Sequence, residues 1–234
     1  AHNLMGGVVV DVGTRTSLAG LYGAGEDAGG AHGSNRLGGN GVANSTVYGG
    51  IAGDVMAADA QKMGALHDPD ETVLDEEMAR AIIPFSAKPG NVQELRVRLM
   101  DAMWDDVGVM RDAAGLKRGI EKIASLKTDM ENVGVSGDNL AFNLSWHDWL
   151  SLQSLIDTSE VIAKAGLSRK NSRGAHFRED FPDAGSLDDS YFTIATSGDK
   201  GIEVSREAVK FTIVKPGESL LGADEAETLV EAAQ

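Results

Sequence analysis

The sequence predicts an α+β chain that is mainly helical. Three observations carry this. From residue 42 onward, and above all between residues 68 and 166, apolar residues recur at helical spacing with proline, acids or asparagine at the starts. Two short β-rich runs, residues 190–196 and 209–214, come only after the last helical pattern. Before the helices, residues 1–41 alternate brief apolar runs with a glycine-rich stretch from Gly20 to Gly41, which suits close approach of backbone to a ligand.

Taken in order, residues 7–11 read as a short strand with a Gly13-Thr14 turn behind it, and residues 18–23 as a second strand. The glycine-rich loop follows, with Glu26 just past the carboxyl end of that strand. Asn40-Gly41 then opens a helix of small residues (Ala43, Ser45, Gly49, Gly50, Ala52, Gly53) that runs to Lys62. Glycine costs about 1 kcal/mol against alanine in a helix interior, so this helix is suited to close packing against a sheet or a ligand. The order strand, glycine-rich loop, helix start aims free N–H groups and a positive dipole end at something electron-rich.

Asp68-Pro69-Asp70-Glu71 starts the next helix, which stops before Pro84. Pro89-Gly90-Asn91 starts another, with Val92, Leu95, Leu99, Met103 and Val107 on one face. Residues 115–133 give a third, with Leu116, Ile120, Ile123, Leu126 and Met130 in register. Ser145 is placed to cap a fourth, where Trp149, Leu152, Ile156 and Ala163 recur before Gly166. Such amphipathic helices predict an antiparallel bundle. Residues 168–185, rich in arginine and aspartate, read as loop; the two β-rich runs form a small antiparallel ribbon, and the acidic tail from Ala223 to Gln234 reads as a frayed helix. The expected divisions are 1–66, 67–185 and 186–234.

Composition bounds the function. No apolar run approaches the ~18 residues of a transmembrane helix, and no signal or transit peptide opens the chain. The absence of cysteine excludes disulfides, thiolate zinc sites and iron–sulfur ligation by these residues, and leans toward a cytoplasmic setting. A net charge of −15 argues against nucleic acid as a partner. No metal site is expected; Asp75-Glu76-Glu77 reads as a solvated helix face.

Four motifs then point to one family. Gly23-Ala24-Gly25-Glu26 with His32-Gly33-Ser34-Asn35-Arg36-Leu37-Gly38-Gly39-Asn40 resembles the near-C-terminal flavin signature of succinate dehydrogenase/fumarate reductase flavoproteins. His2-Asn3-Leu4-Met5-Gly6-Gly7 resembles that family's His-x-x-Met-Gly-Gly motif. Met103-Trp104, Gly108, Arg111 and Leu116 match its helical-domain pattern, and residues 172–182 (SRGAHFREDFP) its C-terminal motif. The resemblance implies that residues 1–66 are the C-terminal remnant of a Rossmann-like FAD-binding domain, and that the chain is a C-terminal fragment. The dinucleotide Gly-x-Gly-x-x-Gly unit, which does not occur here, would lie upstream.

By the same resemblance, His2 and Arg36 hold carboxylates of a dicarboxylate substrate, for which a guanidinium offers a bidentate fork. Glu26 accepts from ribityl hydroxyls, and Gly25, Arg36, Gly39, Asn40, Gly41 and Val42 line the FAD, with backbone N–H groups of residues 40–42 toward its N1–O2 edge. Read without the family, Arg36 is a surface ion-pair residue, His2 an exposed histidine at a chain start, and Glu26 a strand-end acid in water. His32 is given no chemistry, His147 is a helix-surface or interface residue, and His176 with Arg173 and Arg178 belongs to a loop network with Glu179, Asp180 and Asp183 in preference to an anion site. The proton-transfer arginine of the family lies upstream, so no catalytic residue is expected here. The fragment itself should be inactive and prone to self-association through uncovered apolar surface.

The implied activity is interconversion of succinate and fumarate, or a similar dicarboxylate, by hydride transfer at flavin N5. An iron–sulfur subunit is the implied partner, and the implied setting is cytoplasmic, at the inner membrane face through partner subunits. Gly41-Val42-Ala43-Asn44, where the family commonly has serine and leucines, keeps an L-aspartate oxidase-like activity open. A non-catalytic helical interaction module is the reading from a different class.

Overall fold

A computed structural model describes residues 3–65, 68–199 and 201–219. Among these, five α-helices are followed by a two-stranded antiparallel ribbon. The helices are α1 (Asn40–Met63), α2 (Glu71–Ile82), α3 (Val92–Asp105), α4 (Ala113–Glu131) and α5 (Leu144–Ser168). The strands are β1 (Tyr191–Gly198) and β2 (Gly201–Ala208). The mainly helical class with a terminal ribbon is as the sequence predicts.

The caps explain where the helices begin. Asp70, Asn91, Asp112 and Asn143 each accept, through the side chain, a backbone N–H from the first turn of α2, α3, α4 and α5. For α5 this corrects the expectation: Asn143 is the cap and Ser145 lies inside the first turn. The same helix runs on past Gly166 to Ser168, because the carbonyls of its last turn have a partner described below.

The core lies between α3, α4 and α5. Leu95, Leu99, Val107, Leu116, Ile123, Leu126, Leu152 and Ile156 are buried together there, and fully burying one such side chain contributes about 1.5–3 kcal/mol. Gly119 permits the close crossing, since a Cβ there would lie 2.6 Å from Val107. Asp106, 5% exposed, sits at the edge of this core under Lys122 (2.6 Å) and Arg118 (3.1 Å). Burial opposes its charge, but the two cations hold its carboxyl below the ordinary range. Helix α2 buries none of its residues and is moored by the Trp146 indole N–H on the Ala81 carbonyl (2.7 Å).

Three expectations are corrected. Residues 7–11 and 18–23 are not strands; each forms a single bridge, Val8 to Ala28 and Arg15 to Tyr22. Asp11 breaks the first run by accepting the N–H groups of Gly13 and Arg15, which forces a tight turn with Thr14 at φ 65°. The second run is interrupted by a Leu18–Leu21 turn with Gly20 at φ 84°. The strand pairing with β1 is not residues 209–214 but Gly201–Ala208, in the register Tyr191 to Ala208 through Gly198 to Gly201. Gly201, at φ 95°, starts β2 opposite Gly198, so β1 is fully paired by Ala208, before the β-branched run begins. The acidic tail expected from Ala223 to Gln234 lies outside the described residues.

Candidate functional site

The glycine-rich loop folds back onto the start of α1. Gly25 is buried at φ 79°, in a short 3-10 turn over Gly25–Asp27, and presents Glu26 at the surface. Helix α1 begins after Gly39, which takes the left-handed conformation at φ 81°, and no side chain caps its N-terminus. Asn40 gives its N–H to the Leu37 carbonyl (3.3 Å), whereas the N–H groups of Gly41 and Val42 have no hydrogen-bond partner among the described residues. The first turn therefore keeps two backbone donors and the positive dipole end.

Arg36 lies across this turn. A Cβ at Gly41 would stand 3.6 Å from Arg36 Nη1 and 3.8 Å from Asn3 Oδ1, ordinary contact distances that set the guanidinium and Asn3 against this turn. Nη1 donates to the Leu37 carbonyl (3.2 Å), while the buried Nε has no hydrogen-bond partner among the described residues. Buried polar groups are almost always paired, and Arg36 Nε is one of four buried side-chain atoms among the described residues that are not.

The first motif is brought to the same place. The Leu4 N–H donates to Glu26 Oε1 (2.7 Å), and the Arg36 N–H donates to Met5 Sδ (3.3 Å). Residues 3–5 thus span from Glu26 to Arg36. His2 lies outside the described residues. Gly25, Glu26, Arg36, Gly39, Asn40, Gly41 and Val42 all fall within this one region, with Glu26 tied to the chain's first motif and not projecting freely from a strand end.

Sequence reasoning missed Asn44. It is 6% exposed on α1, one turn beyond Asn40. Its Nδ2 donates to the Gly25 carbonyl (3.2 Å) and contacts His32 Nε2 (2.9 Å). The available signal was the spacing of Asn40 and Asn44, one helical turn apart at the mouth of a glycine-rich loop.

The C-terminal motif docks on the same loop. Gly174, at φ 54°, has no room for a side chain, since a Cβ there would lie 2.1 Å from the Ser34 carbonyl oxygen, and the next N–H, of Ala175, donates to that oxygen (3.1 Å). Two residues on, His176 Nδ1 meets Arg111 Nη1 (3.1 Å). Burial, then Arg111, Arg169 and Arg178, push the His176 pKa down to about 4, so its ring is neutral at pH 7 and accepts from Arg111. Burial and Arg178 also lower the Arg111 pKa below the ordinary guanidinium value.

Arg178, 1% exposed, donates through Nη1 to the carbonyls of Gly166 (3.1 Å), Leu167 (3.2 Å) and Arg169 (3.0 Å) at the end of α5. Its other nitrogens grip Asp180 at 2.6 Å each, and Asp180 accepts the Ala113 N–H (3.0 Å) at the start of α4. Arg178 holds the Asp180 carboxyl at about 2. Of the expected loop network, Arg178 does pair with Asp180, whereas His176 meets Arg111 and no acid. Arg173 holds the 184–190 segment through Ala184 and Ser190.

Elsewhere, a cleft of about 420 Å³ lies between α2, α4 and α5 over Met130, Trp149 and Ile156. Its rim cations are paired, Arg80 with Glu77 and Lys127 with Asp157 and Glu160. No cluster of potential metal ligands occurs among the described residues.

The chain is similar to known proteins over most of its length. Residues 96–220 match the family described as fumarate reductase flavoprotein C-term, and residues 1–42 match an FAD binding domain. The fumarate reductase flavoprotein subunit of Haemophilus influenzae is 30% identical over 227 residues, covering 95% of this chain and 38% of that protein. The L-aspartate oxidase of Yersinia pestis is 34% identical over 187 residues, 78% of this chain and 32% of its own length. A solved E. coli quinol fumarate reductase FrdA chain superposes with a TM-score of 0.83 at 27% identity, covering 93% of this chain and 38% of that one. The chain thus spans about a third of the length of these curated relatives.

Proposed function

The chain belongs to the succinate dehydrogenase/fumarate reductase flavoprotein family, and from that premise we propose that it forms one wall of the site of an FAD-dependent oxidoreductase acting on a small dicarboxylate of the succinate/fumarate type. The observation that carries the reading is Arg36: a guanidinium with a buried, unpartnered Nε, laid across the uncapped start of α1 inside a glycine-rich loop. A substrate carboxylate is the acceptor it lacks.

The residues present fit the cofactor. The Gly41 and Val42 N–H groups at an uncapped helix start suit an edge that gains negative charge, and a carboxylate at Glu26 can accept from sugar hydroxyls with lone pairs beyond the one taken by Leu4. Bound FAD supplies two-electron hydride chemistry. Arg36, with His2, orients the dicarboxylate so that its reacting carbon faces the flavin, which lowers the entropic cost of the reaction. The hydrogen bond between neutral His176 and Arg111 and the Gly174–Ser34 contact hold the bundle against the loop that carries Arg36. No residue of this chain is assigned the proton transfer, so these residues alone are expected to be inactive.

An iron–sulfur subunit is the proposed electron partner, supported by the likeness to a quinol fumarate reductase chain. No described helix is long and apolar enough to cross a membrane, and the proposed setting is the cytoplasmic face, reached through partner subunits. An L-aspartate oxidase-like activity is the second reading, favoured by the 34% identity to such an enzyme and by Gly41-Val42-Ala43 in the first turn of α1. The test is the visible spectrum of the full-length flavoprotein titrated with each substrate. Bleaching by succinate supports the first reading and bleaching by L-aspartate the second; a protein that cannot be loaded with flavin refutes both.

A further inference from the structure

We infer that Asn44 is a positioning residue, one that fixes His32 in its Nδ1–H tautomer and clasps the Glu26 turn to the Arg36 loop. The inference rests on the flavoenzyme reading above. Two loops must keep a set separation if one is to hold the flavin and the other the substrate. The first carries Gly25 and Glu26, the second runs from His32 to Arg36. Their backbone hydrogen bonds do not join them: Ala28 bonds back to Gly25, and Ser34 bonds out to Ala175.

Asn44 supplies the connection. Its amide, on the buried side of α1, reaches the Gly25 carbonyl at 3.2 Å and His32 Nε2 at 2.9 Å. A carbonyl only accepts, so the Gly25 contact fixes which end of the amide is NH2. That same nitrogen faces His32, so Nε2 must be the unprotonated acceptor and the ring proton must sit on Nδ1. Neither an aspartate nor an apolar residue of the same size can do this. A carboxylate would face the Gly25 carbonyl oxygen, acceptor to acceptor, and would call for a proton on Nε2.

The experiment uses the full-length flavoprotein with 15N-labelled histidine. At about pH 8 the His32 ring is expected as the Nδ1–H form, the acceptor at Nε2 facing the Asn44 amide. Asn44→Asp, which keeps the volume and removes the donor, is expected to move the proton to Nε2. Both Asn44→Asp and Asn44→Ala are expected to raise KM for the dicarboxylate about tenfold while flavin remains bound. A purely packing role predicts that Asn44→Asp behaves as wild type while Asn44→Ala does not. An Nε2–H ring in the wild type, or a wild-type KM in Asn44→Asp, overturns the inference. Should the variants fail to fold, the wild-type tautomer decides it. Failure of the flavoenzyme reading looks different: the wild type then carries no flavin, whatever the tautomer of His32.

Discussion

Replacing Arg178 by methionine should cost the chain roughly 3 kcal/mol of stability or more, from the hydrogen bonds its buried guanidinium makes. Methionine keeps the apolar stem and removes the guanidinium. Three carbonyls at the end of α5, of Gly166, Leu167 and Arg169, then lose their donor. Each buried group left unsatisfied costs about 1 kcal/mol or more, so the carbonyls alone reach the lower bound. Asp180 loses both of its short bonds but is 31% exposed at the side chain and can be rehydrated, which keeps its share small. Urea unfolding followed by far-ultraviolet ellipticity measures the loss as a lower midpoint at unchanged slope. The pH dependence is a second readout. The Asp180 carboxyl is depressed to about 2 by Arg178, so its contribution is present at neutral pH, begins to fall below the ordinary value of ~3.9, and is gone once pH passes below the folded value. Arg178→Met should lose that acid-sensitive component. A loss of less than about 1 kcal/mol, the range of an exposed ion pair, would refute the account of Arg178 as the link between the end of α5 and the start of α4.

Two further outcomes follow from the packing. Leu152→Ala, at a fully buried position between α4 and α5, should cost about 2–5 kcal/mol in the same unfolding assay. Gly174→Ala places a Cβ where the Ser34 carbonyl oxygen stands and strains a residue at φ 54°; hydrogen exchange at the Ala175 amide should accelerate about tenfold or more while the core helices keep their protection.

The bundle was legible because its helices carry their own boundaries. Asn91 ahead of Val92, Leu95 and Leu99 announces both a cap and a face, and both are observed. Asn143 was missed in favour of Ser145 because both are good caps, and the choice was made by the loop: Asn143 also donates to the carbonyls of Ser136 and Asn139, holding the chain in an extended entry. The ribbon was half legible. Residues 190–196 look like a strand and most of them lie in β1, but β2 reads as charged (Glu203, Arg206, Glu207) and is a strand because it pairs with β1 along its whole length. Residues 7–11 and 18–23 have strand composition, yet side-chain bonds from Asp11 and the Leu18–Leu21 turn override it.

For the site, composition singled out the loop from Gly20 to Gly41, and motif order singled out Arg36. What could not be read is that all four motifs meet. The contacts Leu4 to Glu26, Met5 to Arg36, Ala175 to Ser34 and Arg111 to His176 join segments up to 141 residues apart, and three of them run through backbone atoms, which every residue type offers alike. The bond from Asn44 to His32 escaped for a related reason: an asparagine inside a helix ordinarily reads as a surface residue.

The most direct test is the affinity of Arg36→Met for a dicarboxylate, read from the visible absorbance of the bound flavin in the full-length protein. Arg36 is proposed as the clamp for one carboxylate, and truncating one partner of a buried charged pair weakens binding by about 2–5 kcal/mol or more, so Kd should rise about 100-fold with the flavin spectrum retained. An unchanged Kd in a variant that still carries flavin would contradict the assignment of this site to dicarboxylate binding.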